Sequence, residues 1–197
     1  MAGKTTVACT EEQYVTIITV MFEGIDSIRP NPRIATILEI EANTGLRIGD
    51  VLMLRRGSII RDGNRYRFDI VEHKTKKKRT FTVPDPVYRF IEEYCIMAGI
   101  HDGELIFPIT VRAVQKHLQS ICEHLGGDYA NISSHSFRKR FASEAYFKSG
   151  KDIELVRHLL QHSSVTVTSR YIGIPDERID AVLSECVTFI SHDKGGK

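Results

Sequence analysis

The chain changes its hydrophobic period twice, and that change limits the folds open to it. Between Gly57 and Val83 the pattern turns to period two, with stretches in which apolar residues alternate with polar ones, as on a strand with one buried face. "GSIIRDGNRYRFDIVEH" is broken by Asp62-Gly63-Asn64, which suits a tight hairpin turn, and "RTFTVPD" alternates again until Pro84. On either side the spacing is helical. The pattern predicts an α+β chain, mainly helical, with one small three-stranded antiparallel sheet set into it.

Before the sheet, "TEEQYVTIITVMFEG" offers Thr10 as an N-cap, acids in its first turn, then apolar residues at helical spacing. "NPRIATILEIEANTGL" predicts a second helix with Pro32 in its first turn and an end near Gly45. "IGDVLMLRR" reads as a short helical segment. After the sheet the helical segments are "PVYRFIEEYCIMAG", "TVRAVQKHLQSICEHLG", "SSHSFRKRFASEAYFKSG", "KDIELVRHLLQH", "SSVTVTSRYIG" and "PDERIDAVLSECVTFI". In the last, Ile179, Val182, Leu183, Cys186, Val187 and Ile190 form an apolar stripe. Such a stripe docks on its own core or on a neighbouring subunit.

A net charge of +2 hides an uneven distribution. From Arg55 to Thr82 there are ten Lys or Arg against three Asp or Glu, a balance of +7, so the remainder carries 2 − 7 = −5. A basic block on a near-neutral protein is the footprint of a polyanion, although a solvated charged hairpin has the same composition. Cys9, Cys95, Cys122 and Cys186 fit no zinc spacing and read as reduced thiols of a cytoplasmic protein. No run is long enough for a membrane helix, and the N-terminus has no apolar signal-peptide core.

Four separated places carry chemistry. "TGLRIGD" puts Arg47 just after the helix-ending glycine, with Asp50 behind it. "EHKTKKKR" puts Lys74 at the end of a strand. "SSHSFRKR" puts His135 and Arg138 three apart, on one helical face. "LLQHSSVTVTSRYIG" supplies His162 and Tyr171. Singly each is weak: a tyrosine before a glycine is usually core or interface, and H-x-x-R is a common surface pair. Lys74 has Lys76, Lys77 and Lys78 as competitors, and His73 and His158 read as bystanders.

Taken in order, R, K, H-x-x-R, H, Y resembles the tyrosine recombinase family. The resemblance covers roughly residues 12 to 175. "TGLRIGDVLML" is similar to the family's first box, "HSFRKRFAS" to its second and "LLQHSSVTVTSRYIG" to its third. One departure is Gln161, which stands where a glycine usually precedes the histidine.

The resemblance implies a catalytic set of Arg47, Lys74, His135, Arg138, His162 and Tyr171. The residue types suit the chemistry. A phenol has a pKa near ~10, so Tyr171 needs help to attack a phosphodiester at neutral pH. Two arginines clamp the non-bridging oxygens bidentately, which lysine does less well. A lysine on a flexible hairpin can protonate the departing 5′ oxygen, His162 can hydrogen-bond the phosphate, and His135 can assist proton transfer. Energy held in a 3′-phosphotyrosyl link implies no metal, no ATP and no other cofactor. Rival readings are a silent DNA-binding regulator of the same fold and a topoisomerase IB-like nicking-closing enzyme.

The implied partner is double-stranded DNA. Arg55, Arg56, Lys76, Lys77, Lys78, Arg79, Lys139 and Arg140 are candidate phosphate contacts, which position rather than specify. The family also implies a homo-tetramer on DNA, with accessory DNA-bending factors, on the bacterial nucleoid of a phage or mobile-element host. The expected organisation is a linker over 1–10, a catalytic domain over 11–175 and a C-terminal helix and tail over 176–197. Family members usually add an N-terminal domain that grips the other side of the DNA. The expectation is therefore a piece of a longer integrase, with a standalone catalytic domain like the fimbrial-switch recombinases as the alternative.

Overall fold

The computed structural model describes residues 6–71, 78–162, 164–169 and 171–172. Three helices precede the sheet: α1 (Glu11–Glu23), α2 (Pro32–Thr44) and α3 (Ile48–Val51). The sheet comprises β1 (Ile59–Asp62), β2 (Arg65–Val71) and β3 (Lys78–Val83), antiparallel in the order β1-β2-β3. Then follow α4 (Asp85–Met97), α5 (Val111–Leu125), a 3₁₀ turn (Gly127–Asn131), α6 (Ser134–Lys148), α7 (Ile153–Leu160) and α8 (Val165–Ser169). The period change marks the sheet as expected. The tail stripe and Lys74, Lys76 and Lys77 lie outside the described residues.

Local signals set the boundaries. Thr10 caps α1 in a reciprocal box with Gln13. Asn31 caps α2, Pro32 opens it, and Gly45 ends it in the left-handed conformation at φ 63°. β1 and β2 meet across Gly63-Asn64, with Gly63 at φ 61° and Asp62 opposite Arg65. That positive φ is what a two-residue hairpin asks of its first central residue. Val83 is the last residue of β3, and Pro84 caps α4.

The sheet lays one face on the helices. Phe68 is wholly buried, and Tyr66, two residues before it on the same face, stacks on Tyr88 of α4 at 3.7 Å between centroids. Ile17, Met21, Ile37, Leu38, Ile40, Phe107 and Phe137 centre the main core. A smaller core gathers Ala142, Val156, Leu160 and Ile172, with Phe141, Tyr146 and Tyr171 packed against it. α6 runs through both, with Phe137 in one and Ala142 in the other. Cys9, Cys95 and Cys122 are buried free thiols.

Candidate active site

Arg138 is where the two cores meet. Its side chain is 0% exposed. One terminal nitrogen, Nη1, donates to the carbonyl of Gly45 at the end of α2. The other, Nη2, donates to the carbonyl of Leu160 at the end of α7 (3.0 Å) and lies 3.2 Å from His162 Nε2. The planar fork thus satisfies helix-end carbonyls that have no partner within their own helices. Gly45 is required here for two reasons. It takes a positive φ, and a Cβ on it would stand 2.4 Å from Phe141 Cδ1.

The hydrogen-bond chain fixes the state of His162. Arginine can only donate, so Nε2 of His162 is the acceptor. The Thr168 hydroxyl donates to the Ser164 carbonyl (3.3 Å) and accepts from His162 Nδ1–H (3.1 Å). In this arrangement His162 is the neutral Nδ1–H tautomer, assigned from its partners. Thr168→Val keeps the shape but removes the acceptor. Leaving Nδ1–H buried and unmatched should cost about 1–3 kcal/mol, read by urea unfolding, with the ring nitrogen shifts of His162 moving in NMR. Unchanged shifts and stability would refute the assignment.

Tyr171 packs over this cluster. Its ring lies 4.8 Å from the His162 ring, 5.8 Å from Arg138 Cζ and 5.8 Å from Lys139 Nζ. Its backbone N–H donates to Thr168, one turn back at the end of α8. The phenol, the imidazole and two cations therefore share one site, although Arg138 and Tyr171 are 33 residues apart (171 − 138).

The remaining expected residues are spread around it. Arg47 follows Gly45 by two residues and precedes α3, so its backbone is anchored beside the carbonyl that Arg138 grips. It is partly exposed, 3.9 Å from the buried carboxylate of Asp50. His135 and Arg138 differ in environment despite their i, i+3 spacing. His135 is exposed in the first turn of α6, while Arg138 reaches into the interior.

Two of the expected phosphate contacts are held internally. Arg140 pairs with Glu11 and Glu144, its side chain only 12% exposed, and covers Tyr14. Arg56 binds Glu92, Asp102 and the Ile100 carbonyl. In this structure their positive charge is balanced by acids within the fold. Lys139 donates to the Thr6 carbonyl beneath Tyr171. Arg55 is exposed and donates to the Gly103 carbonyl (2.8 Å). Lys78 and Arg79 occupy β3 opposite Val71 and Ile70.

Residues 8–178 match the phage integrase family. The chain belongs to that family. This phage integrase-family chain is 26% identical over 165 residues to tyrosine recombinase XerD of Rhizobium meliloti (strain 1021), covering 79% of its own length and 52% of the relative's. It thus spans about half the length of XerD. It is 30% identical over 142 residues to the probable integrase/recombinase YoeC of Bacillus subtilis (strain 168), covering 68% of itself and 74% of YoeC. Among solved structures its fold is similar to XerH site-specific recombinase bound to palindromic difH substrate, in a post-cleavage complex. There the TM-score is 0.71 at 18% identity, over 93% of this chain and 54% of that one. A lambda integrase dimer bound to a COC′ core site gives 0.66 at 20% identity, over 88% and 49%.

Family membership gives the Gln161 departure a physical meaning. Gln161 ends α7 at φ 50°, ψ 46°, a left-handed conformation in which glycine carries no Cβ penalty. The glutamine keeps the geometry at some strain. Its N–H still closes the helix on His158, and the next N–H, from His162, reaches Arg157.

Proposed function

We propose that this chain is the catalytic domain of a site-specific DNA recombinase or integrase that cuts and rejoins strands through Tyr171. The observation that carries the reading is the cluster itself. A phenol lies against a buried arginine, and that arginine is hydrogen-bonded to a histidine of assigned tautomer.

In the forward step the Tyr171 oxygen bonds to phosphorus and gives up its proton, with His135 as the candidate acceptor. The P–O5′ bond breaks, and the departing oxygen takes a proton from Lys74. Arg47 and Arg138 hold the non-bridging oxygens, and His162 Nε2, once protonated, donates to one of them. A 5′-hydroxyl from another strand then reverses the chemistry on the 3′-phosphotyrosyl bond. Each cycle conserves the phosphodiester energy, so the scheme requires neither ATP nor a metal. Arg138 is fully covered in the present arrangement, so a phosphate reaches it only after groups packed around it move. Such an enzyme works in the cytoplasm, on the nucleoid, and serves a phage or other mobile element.

The test is to incubate the protein with fragmented genomic and plasmid DNA, denature it in SDS and map adducts by peptide mass spectrometry. DNA on the Tyr171 peptide supports the reading. Clear binding with no adduct, in this chain and in its longest natural form, would leave a silent DNA-binding relative.

The proposal extends to assembly as a homo-tetramer on DNA through residues 176–197, with accessory bending proteins assisting. Deleting those residues should reduce the size of the protein–DNA complex in light scattering. An unchanged assembly would sink this part.

A further inference from the structure

Glu41 is a charged residue type in a place that offers it little. It sits on α2 one turn before Gly45 and is 0% exposed. Neither carboxyl oxygen makes a well-formed hydrogen bond among the described residues, although the Ile48 N–H lies close enough to favour the charged form. Arg138 faces it from α6, the Ile48 N–H from α3 and the Cys9 thiol from the segment before α1. Arg138 itself is engaged elsewhere, by the Gly45 and Leu160 carbonyls and by His162. An ionised carboxylate in such a place would lose its hydration with nothing equivalent in return.

We infer that Glu41 is a positioning residue for the active site: a neutral carboxylic acid packed behind Arg138, which leaves the arginine's positive charge directed at a DNA phosphate rather than cancelled from within. Burial pushes the Glu41 carboxyl well above the usual carboxylate range, against smaller opposing pulls from Arg138 and the Ile48 N–H. Were Glu41 to lose its proton to solvent, a carboxylate would stand behind Arg138 and weaken its hold on a phosphate. A phosphate bound at Arg138 would in turn favour the protonated acid, because two anions would otherwise share one cation. Glutamate thus makes the arginine's field dependent on pH, where an apolar residue would make it constant.

The sign of the stability effect follows. The folded protein keeps the Glu41 proton to a higher pH than the unfolded chain does. Rising pH therefore destabilises the fold between the unfolded and folded pKa values of this group. Glu41→Gln has no such proton. Urea unfolding of wild type and E41Q from pH 5 upward should show their folding constants diverging about tenfold per pH unit, in favour of E41Q. Glu39, which burial raises to about 7, is present in both proteins and cancels in the comparison. A pH-independent difference would overturn the inference.

The functional half rests on the DNA reading above and has its own readout. Tyr171 adduct formation by the wild type should fall as pH rises through the ionisation of Glu41, and E41Q should lack that fall. Equal pH profiles, in proteins that both form the adduct, would remove the functional role. The unfolding result stands whether or not an adduct forms, so the two failures are distinguishable.

Discussion

Tyr171→Phe should abolish the covalent protein–DNA adduct while leaving the fold and DNA binding in place. The substitution removes one oxygen and keeps the ring, and the ring is what packs on the smaller core and on His162. Tyr171 is only half-buried. Losing its hydroxyl should therefore change stability by no more than about 1 kcal/mol, the usual net value of one hydrogen bond. The chemical effect has no such limit, because phenylalanine has no atom that can bond to phosphorus. The comparison needs both proteins on the same DNA, with SDS-resistant adduct and binding measured side by side. An adduct of equal yield on the variant, mapped to another residue, would move the nucleophile away from Tyr171. Loss of binding along with the adduct would mean that the hydroxyl, and not the ring, had been holding the DNA-binding arrangement together.

The local frame of this candidate site was legible in the sequence because its parts stand at helix boundaries, which short-range rules describe well, whereas the choice of residues came from the family resemblance. Gly45 after α2, Ser133 before α6 and Asp152 before α7 are residue types that end or begin helices, and Arg47, His135 and His162 stand within a few residues of such ends. The hairpin was legible for a similar reason, since Gly63 and the alternating flanks specify it locally. What escaped depends on long-range packing. Nothing in "SFRKR" tells which of three neighbouring cations turns inward. Arg138 is wholly buried, Lys139 lies under Tyr171, and Arg140 is drawn to Glu11, 129 residues away in sequence. Thr168 is an unremarked residue of "SSVTVTSRYIG" in the sequence, and only the fold of α8 brings it to His162. Glu41 sits in a stretch of α2 whose other residues read as an ordinary amphipathic face. Its one signal was a carboxylate one turn before the helix-ending glycine, on the side that proves to face α6.

Arg138→Lys is the second substitution expected to have a large effect, and it separates charge from shape. Lysine keeps the positive charge but brings a single ammonium in place of a planar fork. The fork now serves three acceptors at once: the Gly45 carbonyl, the Leu160 carbonyl and His162 Nε2. One ammonium cannot occupy both ends of that span, so at least one buried carbonyl loses its donor. The expected loss of stability is about 1–3 kcal/mol for each unmatched group. Adduct formation should fall further, on the order of 10²–10³-fold, as when a preorganised donor to a developing oxyanion is removed. The two losses are read separately, by urea unfolding and by single-turnover cleavage at a temperature where the variant is fully folded. If Arg138 only joins the ends of α2 and α7, the folded variant will cleave at close to the wild-type rate. If it also holds the phosphate, the rate deficit will persist in protein that is entirely native. That persistence distinguishes an arginine that builds the site from one that also works in it.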